Sequence, residues 1–143
     1  MFDVPISSVM QRRKILKAGP DTLVSKVATR MANKDVGAVM VVKDDRLVGI
    51  VTERDIVFRV VARGLDARTT RLAEVMTVDP ETVAPDKPLG HALLKMHERG
   101  FRHLPVMQDG KIVGIVSARN AMDPALEEFV SEAQRRQHYR SQY

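Results

Sequence analysis

The 143-residue chain contains no cysteine and no tryptophan, and aromatic residues make up only 4% of it. Without thiols there can be no disulfide framework, no thiolate metal site and no thiol nucleophile, and the composition fits a reducing compartment. Few aromatics leave few platforms on which nucleic-acid bases could stack. Apolar stretches such as Ala38 to Val42 are far too short to span a bilayer. The opening Met1-Phe2-Asp3-Val4-Pro5 has neither the basic region nor the apolar core of a signal peptide. A cytoplasmic protein with no membrane association is expected. His91, His97, His103 and His138 lack metal-ligand spacing, so no metal site is expected. There is no Gly-x-Gly-x-x-Gly, no Walker loop, no Gly-x-Ser-x-Gly elbow, and no isolated carboxylate pair suited to acid–base work. The expectation is a chain with no catalytic residues and no catalytic cofactor.

Apolar residues at 44% and charged residues at 29% are ordinary for a globular protein. The net charge of +5 and pI of about 9.8 favour anionic partners, or describe a solvated basic surface. Arg12-Arg13-Lys14, Arg68, Arg71 and Arg135-Arg136 motivate an alternative reading, a basic nucleic-acid-binding protein. No helix-turn-helix or RNA-binding signature supports it, so nucleic acid is the weaker expectation. The eight methionines sit mostly at core-like spacing and read as packing.

The dominant feature is an internal repeat. Shifting the sequence by 65 residues places Pro20-Asp21 on Pro85-Asp86, Met31 on Met96, Val41 on Val106 and Asp44 on Asp109. The same shift places Val48-Gly49-Ile50-Val51 on Val113-Gly114-Ile115-Val116, and Arg54 on Arg119. An earlier pair, Val9-Met10 and Val75-Met76, aligns at a shift of 66. Each copy reads as a β-α-β-β-α unit. A short turn or helix carries the Val-Met pair, and a brief extended stretch follows near Lys14 to Lys17 and Glu81 to Ala84. A helix comes next, with Asp21 and Asp86 as expected caps. Its apolar residues repeat at helical spacing as Val24, Val27, Ala28, Met31 and as Leu89, Ala92, Leu93, Met96. Two apolar runs joined by Asp-Asp or Asp-Gly then predict a hairpin in each copy: Gly37 to Val42 with Leu47 to Val51, and His103 to Met107 with Ile112 to Val116. Thr52 or Ser117 opens the closing helix. The expected division is 1–66 for the first unit, 67–122 for the second, and 123–143 for a C-terminal helix and tail. Gly64 to Arg71 is the polar linker. Asp123 and Pro124 can open the final helix, whose stripe Leu126, Phe129, Val130, Ala133 makes it amphipathic to about His138.

Gly49-Ile-Val-Thr-Glu-Arg-Asp55 and Gly114-Ile-Val-Ser-Ala-Arg-Asn120 resemble the Gly-x-x-Thr/Ser-x-x-Asp signature of CBS domains. Phe101-Arg-His-Leu-Pro-Val106 with Asp109-Gly110, and the paired Val9-Met10 and Val75-Met76-Thr77, are similar to other segments of that family. The resemblance is to a stand-alone, bacterial-type tandem pair, often called a Bateman module. It implies an α/β (α+β) fold of two pseudo-twofold-related units packed sheet to sheet. It also implies clefts for adenosine ligands such as AMP, ADP, ATP, NAD(H) or S-adenosylmethionine, a homodimer, and a regulatory role exerted through an effector protein.

Thr52-Glu53-Arg54-Asp55 reads two ways. A strand-to-helix junction gathers amides and a hydroxyl suited to an anion, with Asp55 able to accept from a ribose diol and Arg54 able to fork onto a phosphate. Equally, Thr-x-x-Asp is the spacing of a capping box. In the second copy Ser117 and Arg119 keep the pattern, but Asn120 replaces the carboxylate, so unequal sites are expected. Arg102-His103 leads the strand continuing through Leu104 and Pro105 and is either a phosphate contact or an exposed strand end. The first copy has Gly37-Ala38-Val39 there, with Gly37 permitting close backbone approach. Lys14, at the end of the basic cluster, is either a phosphate contact or part of a solvated loop. Ile15 and Val83 on the short first strands could wall an adenine slot or pack in the core.

Overall fold

The computed structural model describes residues 2–119, 121, 129 and 131–136. A 3-10 turn at Ile6–Ser8 leads in the first copy. Strand β1 (Lys17–Ala18), helix α1 (Val24–Lys34), β2 (Ala38–Lys43), β3 (Arg46–Thr52) and α2 (Glu53–Asp55) follow, and α2 runs on as a π-helical turn over Ile56–Val61. The second copy has α3 (Leu72–Val75), β4 (Thr77–Val78), α4 (Leu89–Arg99), β5 (His103–Gln108) and β6 (Lys111–Ser117). The chain is helical again at 118–119 and 131–136. The fold is thus mixed α and β, with a C-terminal helix present. Phe129 and Ala133 of the expected tail stripe are described, and Phe129 is exposed. Asp123, Pro124, Leu126, Val130 and His138 lie outside the described residues.

Local chemistry explains these elements. Helix α1 buries Val24, Val27 and Met31, and α4 buries Leu89, Ala92 and Met96, each a stripe at the three-to-four-residue period of a helix. Both stop at a left-handed residue, Asp35 (φ 53°) and Gly100 (φ 72°). The hairpins turn through Asp44-Asp45 and Asp109-Gly110, all at positive φ, as a two-residue hairpin loop requires. Each hairpin carries a register shift at the same place, Val41/Val42 and Val106/Met107.

The two copies exchange their lead-in segments. The first sheet has the order β1-β2-β3-β4, so its last strand comes from the second copy. The second sheet pairs β5 with β6 and is flanked by single bridges, Val83 parallel to Val106 and Gln11 antiparallel to Ile115. Its edge therefore comes from the first copy. The cores are exchanged likewise. Ile6 and Met10 pack with Val83, Leu89, Ala92, Met96, Leu104, Val106 and Val116. Leu72 and Val75 pack with Leu16, Val24, Val27, Met31, Val39, Val41, Val51 and Val60. Between the sheets, Ala38, Ile50 and Ile115 form a small buried cluster that joins the copies face to face.

This exchange corrects the expected helix caps. Helix α1 begins after Leu23 and α4 after Pro88, neither with a side-chain cap. Asp21 instead pairs with Arg71 at 3.5 Å. The orphan amides at the helix starts are satisfied by backbone carbonyls of the other copy's lead-in. Val24 and Ser25 donate to Thr70 and Ala67, and Leu89 and Gly90 donate to Val4 and Phe2. The Pro-Asp turns are held the same way, with Ile6 and Ser7 donating to Lys87 and Pro85, and Leu72 and Ala73 donating to Thr22 and Pro20. The linker is accordingly ordered. Asp66 accepts from the Arg68 amide at 2.9 Å, an interaction that holds its carboxyl below the usual range. Thr70 is buried, with its hydroxyl donating to the Asp66 carbonyl at 2.8 Å.

The methionine of each lead-in lies over the glycine of the opposite β-strand. A Cβ on Gly49 would collide with Met76 Sδ, and one on Gly114 would lie 2.8 Å from Met10 Sδ and 2.9 Å from the Gln11 carbonyl. Only glycine admits that approach. Because the Gln11 carbonyl also accepts from Ile115, it cannot retreat cheaply. Gly114→Ala is expected to destabilise the fold by about 1–3 kcal/mol through overpacking, read as a lower urea midpoint at unchanged m-value. An unaltered midpoint would show that the lead-in does not press on β6.

Candidate functional site

A cleft of about 980 Å³ opens where the two copies meet. Its apolar wall comes from the first copy: Leu16, Met31, Val36, Ala38, Ile56 and Val57. Its other side comes from the second copy: Arg102 and His103 at the start of β5, and Ile115, Ser117, Ala118 and Arg119 at the end of β6. Lys14, Asp35 and Glu53 add charge from the first copy.

Two junctions set this geometry. The Glu53 amide donates to the Gly37 carbonyl at 3.0 Å, and the Ala118 amide donates to the Arg102 carbonyl at 2.9 Å. Each start of a closing helix is thereby tied to the residue that precedes or opens its hairpin. Gly37 has a further role. A Cβ there would lie 3.0 Å from Glu53 Oε1 and 3.1 Å from His103 Nε2. The missing side chain lets a carboxylate from one copy and an imidazole from the other share one spot beside the cleft. Burial pushes the His103 pKa below its ordinary 6.5; the nearby Glu53 charge opposes that shift, and Arg102 adds to it.

The cleft brings together Lys14, Gly37, Ala38, Arg102, His103, Ser117 and Arg119 of the residues singled out from sequence. Asn120 lies outside the described residues. Thr52, Arg54 and Asp55 are not among the residues lining this cleft. Thr52 and Asp55 form the capping box: the Asp55 amide donates to Thr52 Oγ1 at 3.3 Å, and the Thr52 amide donates to Asp55 Oδ2 at 2.9 Å. Arg54 lies over the Phe58 ring, 5.0 Å from its centroid. Val39, Val83, Leu104 and Pro105 are buried, the first three in the two main cores.

The first strand is displaced from its expected position near Lys14 to Lys17, and pairs at Lys17 and Ala18 instead. Leu16, not Ile15, therefore contributes to the cleft wall, because a one-residue slip reverses which side chain faces inward. The Ile15 carbonyl accepts from Lys34 Nζ at 3.1 Å. Met31, Val36, Glu53, Ile56 and Val57 were not singled out as site residues. Met31 carried only the signal of a core stripe, and Glu53 lay unmarked between the signature residues. Among the described residues no group of three or more His, Cys, Asp or Glu side chains could hold a metal ion, and no helix is long and apolar enough to cross a membrane.

Comparison with known proteins accords with this architecture. The family model described as CBS domain matches residues 6–62 and again 72–126. A CBS domain-containing protein of Arabidopsis thaliana is 36% identical over 118 residues, covering 81% of this chain and 22% of its own length. The chain thus spans only about a fifth of the first curated relatives it matches. A conserved protein from Pyrococcus horikoshii has a solved structure that superposes with a TM-score of 0.81 at 32% identity, over 87% of this chain and 94% of that one. A CBS domain protein from Pyrobaculum aerophilum, solved in complex with AMP, superposes with a TM-score of 0.73 at 28% identity, over 82% and 89% of the two chains.

The depressed His103 pKa fixes the sign of a pH effect. The unfolded chain binds a proton at this side chain more readily than the folded one. Stability is therefore full above pH 6.5 and falls as the pH drops through that value, until the folded imidazole itself titrates. Thermal unfolding across this window should slope downward toward acid in the wild type. The slope should flatten in His103→Gln, and parallel curves would refute the assignment.

Proposed function

The chain belongs to the CBS domain family, and on that premise we propose that it is a regulatory binding module for an adenine nucleotide rather than an enzyme. The observation that carries this reading is the cleft between the copies, apolar on one side and basic on the other. Leu16, Met31, Val36 and Ile56 offer a slot for a flat base. Arg102, Arg119 and Lys14 offer charge-assisted donors to phosphate. His103 adds a donor in either protonation state. The ribose lies at the Ser117 junction, where the strand gives way to the closing helix. The known complex of the Pyrobaculum relative with AMP supports this class of ligand. A nucleotide seated there touches both copies and so changes their packing, which is how binding is transmitted. A partner protein reads that change.

The face used for assembly is proposed from exposure. Val57, Phe58 and Val61 on the π-helical turn are 51%, 55% and 69% exposed. Such an apolar cluster is covered by a second copy of the chain in a homodimer. Val61→Glu is expected to halve the mass measured by light scattering; an unchanged mass would place the contact elsewhere.

The ligand class is tested by a thermal-shift panel of AMP, ADP, ATP, NAD, NADH and S-adenosylmethionine. A ligand at 100 times its dissociation constant adds about 2.7 kcal/mol, enough for a clear rise in Tm. No shift with any of them would overturn the proposal. Arg102→Ala should weaken the AMP affinity measured by calorimetry roughly ten- to hundredfold, the loss of a charged hydrogen bond.

A further inference from the structure

The two strand-to-helix junctions are related by the 65-residue shift, yet Ser117 and Arg119 of the second line the cleft while their matches Thr52 and Arg54, and Asp55 beside them, do not. At the first junction the carboxylate of Asp55 already has partners on both oxygens. Oδ2 accepts from the Thr52 amide at 2.9 Å and from the Thr52 hydroxyl at 3.1 Å. Oδ1 faces Arg59 Nε at 3.6 Å. The Asp55 side chain is only 14% exposed. Arg59 is itself anchored from its far end, its Nη1 donating to the carbonyls of Val75 at 3.0 Å and Met76 at 3.3 Å. Those carbonyls belong to the second copy's lead-in, so the guanidinium bridges the copies beside the first junction. The residue that matches Arg59 at the same shift is Pro124, which carries no donor. The second copy's sequence therefore offers no arginine at the position that matches Arg59.

We propose that Arg59 is a built-in occupant of the first junction: it holds the Asp55 carboxylate that a ribose diol would need, and so limits the chain to one nucleotide, bound at the second junction. This rests on the nucleotide reading of the cleft. A diol arriving at Asp55 would have to displace an arginine tied at three points, two of them part-buried hydrogen bonds to backbone. Removing the charge while keeping most of the side-chain stem should free the carboxylate. Arg59→Gln does this, since its shorter side chain is uncharged.

The test is calorimetric titration of the full chain with AMP. Wild type is expected to bind one AMP per chain, and Arg59→Gln to bind two. The added event should vanish in Arg59→Gln with Asp55→Asn, where the cap survives because the amide oxygen still accepts. It should persist in Arg59→Gln with Arg102→Ala, which disables the cleft of the second junction. Circular dichroism on each variant establishes that it is folded; should Arg59→Gln fail to fold, Arg59→Met, which keeps the aliphatic stem, is titrated in its place and is likewise expected to bind two. Two AMP per chain in wild type, or one AMP in a folded Arg59 variant, would overturn the role of Arg59 and leave the cleft reading intact. A wild type that binds no AMP, while Arg59→Gln also binds none, would overturn both.

Discussion

The structure depends on one reciprocal constraint: each copy of the repeat is completed by the other's lead-in. Ile6 and Met10 fill the second core, and Leu72 and Val75 fill the first. The same segments supply the carbonyls that receive the first amides of α1 and α4. Half a chain would thus lack an edge strand, part of its core and its helix caps together. A unit of roughly 60 residues is marginal by itself, and here the missing stabilisation is supplied across the duplication. The methionine-over-glycine contacts at Met76/Gly49 and Met10/Gly114 fix how closely the segments approach.

That constraint also creates the cleft. With the lead-ins exchanged, Ala38, Ile50 and Ile115 bring the two sheets together. The start of β2 in one copy then lies near the start of β5 in the other. Glu53 and His103 meet beside Gly37 for this reason alone. Burial there keeps His103 more weakly basic than in water, while Arg102 and Arg119 supply the permanent charge. The apolar wall comes mainly from one copy and the basic side mainly from the other, so the pocket exists only in the paired state.

The two copies share a backbone plan and differ in the side chains placed on it. Gly37-Ala38 in one stands where Arg102-His103 stands in the other. Thr52 and Asp55 close on each other through a capping box, with Arg59 beside them, while Ser117 and Arg119 line the cleft. A twofold-symmetric frame therefore carries an asymmetric distribution of charge. The family match covers both units, yet Thr52 and Arg54 have different surroundings from their matches Ser117 and Arg119.

Much of this was legible in the chain itself. The duplication, the helical stripes and the Asp-Asp and Asp-Gly turns are local patterns, and local patterns survive into structure because each minimises its own exposed apolar surface and backbone strain. The capping-box reading of Thr52 and Asp55 was likewise available from spacing alone. What spacing could not disclose is which copy's segments complete which core, since an exchanged and an unexchanged lead-in have identical sequences and differ only in long-range backbone bonds. Asp21 and Asp86 do not cap the helices for that reason: the task falls to carbonyls many residues away. The register of β1 was likewise settled by pairing with β2, which turns Leu16 rather than Ile15 to the cleft. Sequence determined the elements and their repetition, through interactions spanning a few residues. Tertiary structure alone decided which residues of each junction line the cleft and where Arg59 is anchored, because the two sides of the cleft, and Arg59 with the Val75 and Met76 carbonyls, meet only after the copies have interlocked.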